Sequence, residues 1–120
     1  MSTFDDTIAY EHDARAKLGE QNTYKRALAA WGSTLQKIKA IEELNELGAA
    51  LSKALILPGA ETSGAVMSEI ADVEIMLAQL KLIYDSKIIG LHKASKLARL
   101  RGMLDKVGAL DVNIEDEVAK

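Results

Sequence analysis

Apolar residues recur at steps of three and four between positions 35 and 55, and this spacing limits the fold more than any other feature. They are Leu35, Ile38, Ile41, Leu44, Leu47, Leu51 and Leu55. Because residues three and four apart share one side of an α-helix, the series predicts a long amphipathic helix that ends before Pro58. Pro58 is the only proline, and 4% of the residues are aromatic. This composition favours helices over strands.

Three other segments also carry helical patterns. Residues 20–31, EQNTYKRALAAW, predict a short helix that stops at Gly32. Residues 58–64, PGAETSG, predict the clearest break, because a proline and two glycines are unfavourable inside a helix. A second long helix is expected from about Ala65 to Ile83, and a third periodic region covers residues 88–104.

The chain is expected to form one all-α domain over residues 1–120, since this length is typical of a single domain. Short connections between long helices favour antiparallel neighbours, so we expect a helical bundle. Residues 1–19 are interpreted as an N-terminal extension and residues 111–120 as a frayed acidic tail. Strongly apolar helices in so short a chain predict that the bundle is completed by homo-oligomerisation, as a homodimer or a homotetramer.

Charge and composition exclude several classes of function. The net charge of -3 gives no overall electrostatic reason to bind nucleic acid or an anionic membrane. The absence of cysteine excludes disulfides, thiolate metal sites and a cysteine nucleophile, and it fits a reducing compartment. No segment resembles a signal peptide or approaches the roughly 18 apolar residues of a membrane span. We therefore expect a cytoplasmic protein with no nucleic acid and no membrane as a partner.

Two acidic residues of the second long helix lie on its apolar side. With Glu69 at 0° on a helical wheel, Val73 falls at about 40° and Asp72 at about -60°. Glu74 falls at about 140°, on the polar side. Burying an isolated carboxylate costs several kcal/mol, so Glu69 and Asp72 must be paired, protonated or bound to a metal.

The first long helix carries a second acidic group. Glu42, Glu43 and Glu46 fall within about 100° of arc, beside the leucine positions. Four or five carboxylates could therefore converge between two antiparallel helices. Without cysteine, such a set of hard oxygen ligands suits Mg²⁺ or Mn²⁺ better than zinc.

Together these acids form the pattern E-E-x-x-E, a spacer of 22 residues and E-x-x-D. This pattern resembles the signature of the all-α nucleoside triphosphate pyrophosphohydrolases, the MazG-like family, and in particular its members in phages and prophages. The flanking sequences WGSTLQKIKAIEELNELGAAL, EIADVEIMLAQLKLIYD and KLARL are also similar. The resemblance covers about residues 24–101, which is most of the chain.

The resemblance implies an enzyme that hydrolyses a (d)NTP between its α and β phosphates, giving a (d)NMP and pyrophosphate, as nucleotide-pool housekeeping. It implies Mg²⁺ as the cofactor, with Mn²⁺ as a substitute, because a triphosphate brings about four negative charges to an acidic pocket. The implied metal ligands are Glu43, Glu46, Glu69 and Asp72. The implied catalytic residues are Glu42 and Glu43, and Glu42 would hold a second metal or orient and deprotonate water. The residues assigned to substrate binding are Gln36, Lys39, Lys96 and Arg99.

The acids also have structural interpretations. Glu42 and Glu43 could form a solvated helix face that pairs with Lys39. Glu69 and Asp72 could form a buried salt bridge with a basic residue of another helix or subunit.

Two neighbouring residues and the chain as a whole leave further alternatives open. Gln36 either reaches back to Ser33 in a capping box or points into the pocket. Trp31 either packs in the core, where a lone tryptophan at the end of an amphipathic helix is more often found, or stacks on a base. The whole chain could instead be a non-catalytic helical binding or regulatory oligomer that kept the fold. A nucleic-acid binder that uses residues 87–106 is disfavoured because aromatic residues do not interleave with the basic ones.

Overall fold

The computed structural model describes residues 3–108, and this part of the chain consists of three α-helices. They are α1 (Thr3–Ile56), α2 (Ala60–Ile83) and α3 (Ser86–Lys106). No strand occurs within residues 3–108, so the expected all-α class is confirmed for them. None of the three described helices has both the length and the apolar content that crossing a bilayer requires.

α1 is interrupted at Gly32, where the sequence predicts the end of a helix. Gly32 has a φ of 81° and a ψ of 160°, and glycine adopts a positive φ more readily than other residues. A Cβ atom at this position would meet nothing within 4 Å. The need for glycine therefore comes from the backbone conformation and not from crowding. The interruption separates residues 3–31, which include the predicted N-terminal extension from residue 3 onward, from residues 33–56.

α2 begins at Ala60, so the break predicted at residues 58–64 is too long. The hydroxyl of Thr62 donates hydrogen bonds to the carbonyls of Leu57 at 2.7 Å and Gly59 at 3.2 Å. The backbone N–H of Ser63 donates to the Gly59 carbonyl at 3.0 Å. The bond from Ser63 to Gly59 is the first i to i−4 bond of the helix, so the polar residues after the proline form its first turn.

α1 and α2 pack against each other in antiparallel directions, joined by the short connection of residues 57–59. The direction follows from two pairs of facing residues. Gln36 lies next to Gln79, and Glu43 lies next to Asp72, so positions ascend on one helix while they descend on the other. The buried apolar residues of this packing are Ala40, Val73 and Met76.

The leucine series of α1 does not form the face that packs against α2. The buried residues of α1 are Gln36, Ala40 and Glu43, which follow each other at helical spacing. Leu44 and Leu51 are instead 48% and 47% exposed. The part of the series that contains Leu44 and Leu51 is thus on the outside of the α1–α2 pair.

The chain divides into two units, Met1–Tyr84 and Asp85–Lys120, and each is described by itself. In the second unit, Asp85 caps the start of α3, since its Oδ1 accepts hydrogen bonds from the N–H groups of Lys87 at 2.9 Å and Ile88 at 3.3 Å. The expectation of one domain over residues 1–120 stays a prediction. The tail predicted at residues 111–120 lies outside the described residues.

Candidate functional site

Three carboxylates from α1 and α2 come together. Glu43, Glu69 and Asp72 each place one carboxylate oxygen within 4.8 Å of the other two. Glu69 and Asp72 project from the same side of α2 because they are three residues apart. Glu43 faces them from α1. The structure therefore brings together one residue of the first acidic motif and both acids of the second.

Two oxygens of this carboxylate cluster, which we define as Glu43, Glu69 and Asp72, are buried without a hydrogen-bond partner. They are Glu43 Oε2 and Glu69 Oε2. Glu43 as a whole is only 7% exposed. Leaving a buried carboxylate oxygen without a partner costs free energy, because the oxygen has lost its hydration. The negative charge of these two carboxylates must therefore be compensated by a cation or a proton.

Lys39 links two acids that follow it by one turn on α1. Its ammonium lies 3.2 Å from Glu42 Oε2 and 3.2 Å from Glu43 Oε1. Hydrogen bonds to Glu43 and then to Glu42 raise the pKa of Lys39 above its ordinary value of 10.5, so the side chain is positively charged at neutral pH. The pairing suggested as a structural interpretation is thus present. It uses only Oε1 of Glu43 and leaves Oε2 unpartnered.

Glu46 borders the carboxylate cluster from an exposed position. The negative charge of Glu43 raises the pKa of Glu46 above its ordinary value of 4.5, and loss of hydration and the charge of Glu69 add to this effect. A carboxylate with a raised pKa is one that lacks enough positive charge nearby. The assignment of Glu46 as a metal ligand stays a prediction.

A cavity of about 550 Å³ opens between α1 and α2 beside the carboxylate cluster. Its volume is in the range of pockets that hold small-molecule ligands. The charged residues in its wall are Lys39, Glu42, Glu43 and Asp72. The remaining wall consists of Trp31, Leu35, Gln36, Ile38, Ile75, Met76 and Gln79. The cavity therefore joins an acidic region to a mostly apolar one, in which two amides are the only neutral polar side chains.

Gln36 takes part in the cavity wall and not in a capping box. Its Nε2 donates a hydrogen bond of 2.6 Å to Gln79 Oε1, and both residues are buried. Trp31 is 61% exposed and lines the same cavity, so its interpretation as a core residue is wrong for the single chain. Gln79 was missed by the sequence reasoning. Its signal is the helical spacing from Asp72 and Met76, which places it on the side of α2 that faces α1.

Lys96 and Arg99 are exposed residues of α3 in the second unit of the chain. They lie one turn apart and carry positive charges that could contact phosphate oxygens. Their assignment to substrate binding stays a prediction.

The carboxylate cluster fits a small divalent cation. Two opposite ligands of one Mg²⁺ lie about 4.2 Å apart, since each Mg–O distance is about 2.1 Å. The upper limit of 4.8 Å in the cluster is close to this separation, so small side-chain rotations would complete the contacts. Carboxylate oxygens are also the ligand type that Mg²⁺ and Mn²⁺ prefer. The two unpartnered oxygens, Glu43 Oε2 and Glu69 Oε2, lack a positively charged partner, which a bound cation would supply.

Comparisons with protein-family models, with characterised proteins and with solved structures give no significant match. The similarity of the acidic motifs to the MazG-like family therefore stays a resemblance, and the function is inferred from the site.

Proposed function

We propose that this chain is a Mg²⁺-dependent nucleoside triphosphate pyrophosphohydrolase of the MazG-like type, which converts a (d)NTP into a (d)NMP and pyrophosphate. The observation that carries the proposal is the cluster of Glu43, Glu69 and Asp72, with two buried and unpartnered oxygens, beside a cavity of ligand size. The acidic motifs support the same reaction. Housekeeping of the nucleotide pool in the cytoplasm, by a phage-type protein, is the role that this reaction suggests.

The charges in the cavity explain why the reaction would need a divalent cation. A triphosphate with about four negative charges would bind in a region lined by Glu42, Glu43 and Asp72. The single positive charge of Lys39 offsets only one of the negative charges on these three residues. Bound Mg²⁺, or Mn²⁺ in its place, would bridge ligand and protein charges and lower the pKa of the attacking water. Without a cation, the acids would repel the substrate.

Each residue of the acidic region has a role that its position supports. Glu43, Glu69 and Asp72 would hold the cation, with Glu46 at the border of the cluster. Lys39 is charged and half exposed, so it can donate hydrogen bonds to phosphate oxygens.

Glu42 lines the cavity from an exposed position and would accept the proton of the attacking water. Water attack on the α-phosphorus then breaks the bond to the α–β bridging oxygen, and pyrophosphate leaves with that bond's electron pair. Lys96 and Arg99 are kept in the proposal as residues that would neutralise substrate phosphates, as the resemblance implies.

We also propose that the protein works as a homo-oligomer. Leu44 and Leu51 of α1 and Ile70 and Leu77 of α2 are each between 41% and 48% exposed. On their helices they lie about 80–100° from Glu43 and Glu69, respectively, in the same rotational sense, which places all four on one side of the antiparallel pair. The cavity residues Leu35 and Ile75 lie in the opposite sense. A second copy could therefore cover the apolar side without closing the cavity.

The reaction is tested by product analysis over a panel of dNTPs and NTPs with Mg²⁺. We expect a monophosphate and pyrophosphate from the native protein, loss of both with Glu69→Gln, and unchanged products with the control Glu74→Gln on the exposed side of α2. Light scattering of the native protein should give a mass above the 13.0 kDa of one chain. Absence of pyrophosphate with every nucleotide, from a folded protein that binds Mg²⁺, would reject the enzyme and leave the non-catalytic helical oligomer.

A further inference from the structure

The hydrogen-bonded pair of Gln36 and Gln79, which we call the amide pair, has features that packing alone does not explain. Both residues are buried, at 6% and 3% exposed, and both line the cavity. Their neighbours in the wall include Leu35, Ile75 and Met76. Burying two amides in such surroundings costs free energy that leucine side chains of similar size would not cost. Beyond the bond between them, Gln79 Nε2 donates to the sulfur of Met76 at 3.8 Å, which is a weak acceptor, so the amides keep hydrogen-bonding capacity for a ligand.

The amide pair lies at a fixed distance from the carboxylate cluster. Gln36 precedes Glu43 by seven residues on α1, and Gln79 follows Asp72 by seven residues on α2. Because the helices are antiparallel, both offsets run in the same direction along the cavity. Seven residues of α-helix span about 10.5 Å, or two turns. This length is comparable to the span from the middle phosphates of a nucleoside triphosphate to its base.

Aromatic surface lies next to the amide pair. Trp31 lines the cavity and also a second cavity of about 490 Å³, which it shares with Ile75 and Gln79. Tyr24 and Thr23 form part of the wall of this second cavity. The two cavities thus share one wall, which carries an amide and an exposed indole ring. Flat heterocycles bind to such surfaces by stacking and by hydrogen bonds along their edge.

We infer that Gln36 and Gln79 recognise the edge of the substrate's base while Trp31 contacts its face, so that the amide pair binds bases that carry either an amino or a keto group at the proposed nucleotide site. This inference rests on the proposed function, because it assumes that the phosphates bind at the carboxylate cluster. It adds Gln79 and Trp31 to the site and assigns Gln36 to the base rather than to the phosphates.

The chemistry of the amide pair predicts which bases are accepted. Each amide has two N–H donors and one carbonyl acceptor, and the amides can rotate together so that the bond between them reverses its direction. In one direction Gln36 has a free carbonyl for an amino group of the base and Gln79 has free N–H groups for a keto group, and in the other direction these roles are exchanged. The native protein should therefore accept both amino and keto bases. A ligand without a base should gain nothing from this part of the cavity.

The experiment compares three ligands by calorimetry in the presence of Mg²⁺. They are the α,β-imido analogues of dATP and dTTP, which resist cleavage of the α–β bond, and inorganic tripolyphosphate, which has no base. We expect the native protein to bind both nucleotides at least about tenfold more tightly than tripolyphosphate, the equivalent of about 1.4 kcal/mol. The double variant Gln36→Leu/Gln79→Leu should reduce this advantage to about threefold or less without changing tripolyphosphate affinity.

A second variant tests the direction of the hydrogen bonds. In Gln79→Glu, studied at a pH at which the introduced carboxyl is ionised, the side chain only accepts, so the pair loses donors that a keto base needs, and we expect dTTP-analogue binding to fall about tenfold more than dATP-analogue binding. Gln21→Leu, an exposed glutamine of α1, serves as the matched control and should change none of the affinities. Thermal unfolding would establish that each variant is folded, and the double variant avoids leaving one amide alone.

The outcomes separate this inference from the proposed function. If the Leu/Leu variant weakens all three ligands equally, or if the nucleotides keep their advantage in it, base recognition by the amide pair is rejected while phosphate binding stands. An equal effect of Gln79→Glu on both nucleotides would also reject it. If the native protein binds none of the three ligands, the proposed function fails and this inference fails with it.

Discussion

Replacing Glu69 by glutamine should stabilise the metal-free protein and abolish its stabilisation by Mg²⁺. Two unit charges 4.8 Å apart, the upper limit in the cluster, repel each other by about 3.5 kcal/mol at an effective dielectric constant of about 20. Glu69→Gln removes the repulsion from Glu43 and from Asp72. Because Glu69 is only partly buried, solvent screens part of this energy, and we expect a net gain of about 2 kcal/mol in the free energy of unfolding.

Excess Mg²⁺ should reverse the order of the two proteins. At a Mg²⁺ concentration 100 times its Kd, the native protein should gain about 2.7 kcal/mol, whereas the variant lacks one of the proposed ligands and should gain little. Urea denaturation with EDTA and with a series of Mg²⁺ concentrations would show the two stability curves crossing. Glu74→Gln, at an exposed position of α2, should follow the native curve. A variant that is less stable than the native protein in EDTA would refute this reasoning, because it would mean that a basic side chain already compensates Glu69.

Three other perturbations probe separate features. Gly32→Ala should lower the free energy of unfolding by about 1–2 kcal/mol in urea denaturation, because a Cβ disfavours the φ of 81°, and an unchanged midpoint would contradict the strained conformation. Asp85→Ala should weaken the start of α3 by about 1 kcal/mol, measured as faster amide exchange at Lys87 and Ile88; equal exchange rates would mean that the cap is dispensable. The raised pKa of Glu46 means that the folded chain holds this proton more tightly than the unfolded chain, so in EDTA its stabilising effect is present below pH 4.5 and is lost as the pH rises through the folded-state pKa. Thermal unfolding of native protein and Glu46→Gln across that range should converge at low pH, and parallel curves would argue against the assignment.

The sequence predicts the helices of the site better than it predicts their contacts. The wheel places Glu69 and Asp72 on the inner side of α2 because a carboxylate among apolar residues breaks a strong periodic pattern. The same periodic reasoning does not identify the inner face of α1. There the buried positions are Gln36, Ala40 and Glu43, whereas Leu44 and Leu51 of the more regular leucine pattern lie outside.

Other features of the site depend on information that a single helix does not carry. The sequence of α2 alone does not single out Gln79, because its hydrogen-bond partner, Gln36, lies on another helix. Trp31 is exposed and directly precedes Gly32, whose positive φ is a backbone feature that periodicity does not encode. At the early start of α2 the hydroxyl of Thr62 donates to the carbonyls of Leu57 and Gly59, a local contact that periodicity does not encode.

The equal seven-residue offsets on α1 and α2 fix the distance between the carboxylate cluster and the amide pair along the cavity. Helices do not stretch, so the separation between the carboxylate cluster and the amide pair is set by the number of residues between them and not by loop conformation. One residue inserted into a single helix would rotate everything beyond it by about 100° and turn its glutamine away from the cavity. A longer ligand could be accommodated only by adding whole turns to both helices together, in steps of about 5.4 Å. Point substitutions can therefore change the chemical groups at each end of the cavity. The separation between the carboxylate cluster and the amide pair can change only by coordinated insertions in both helices.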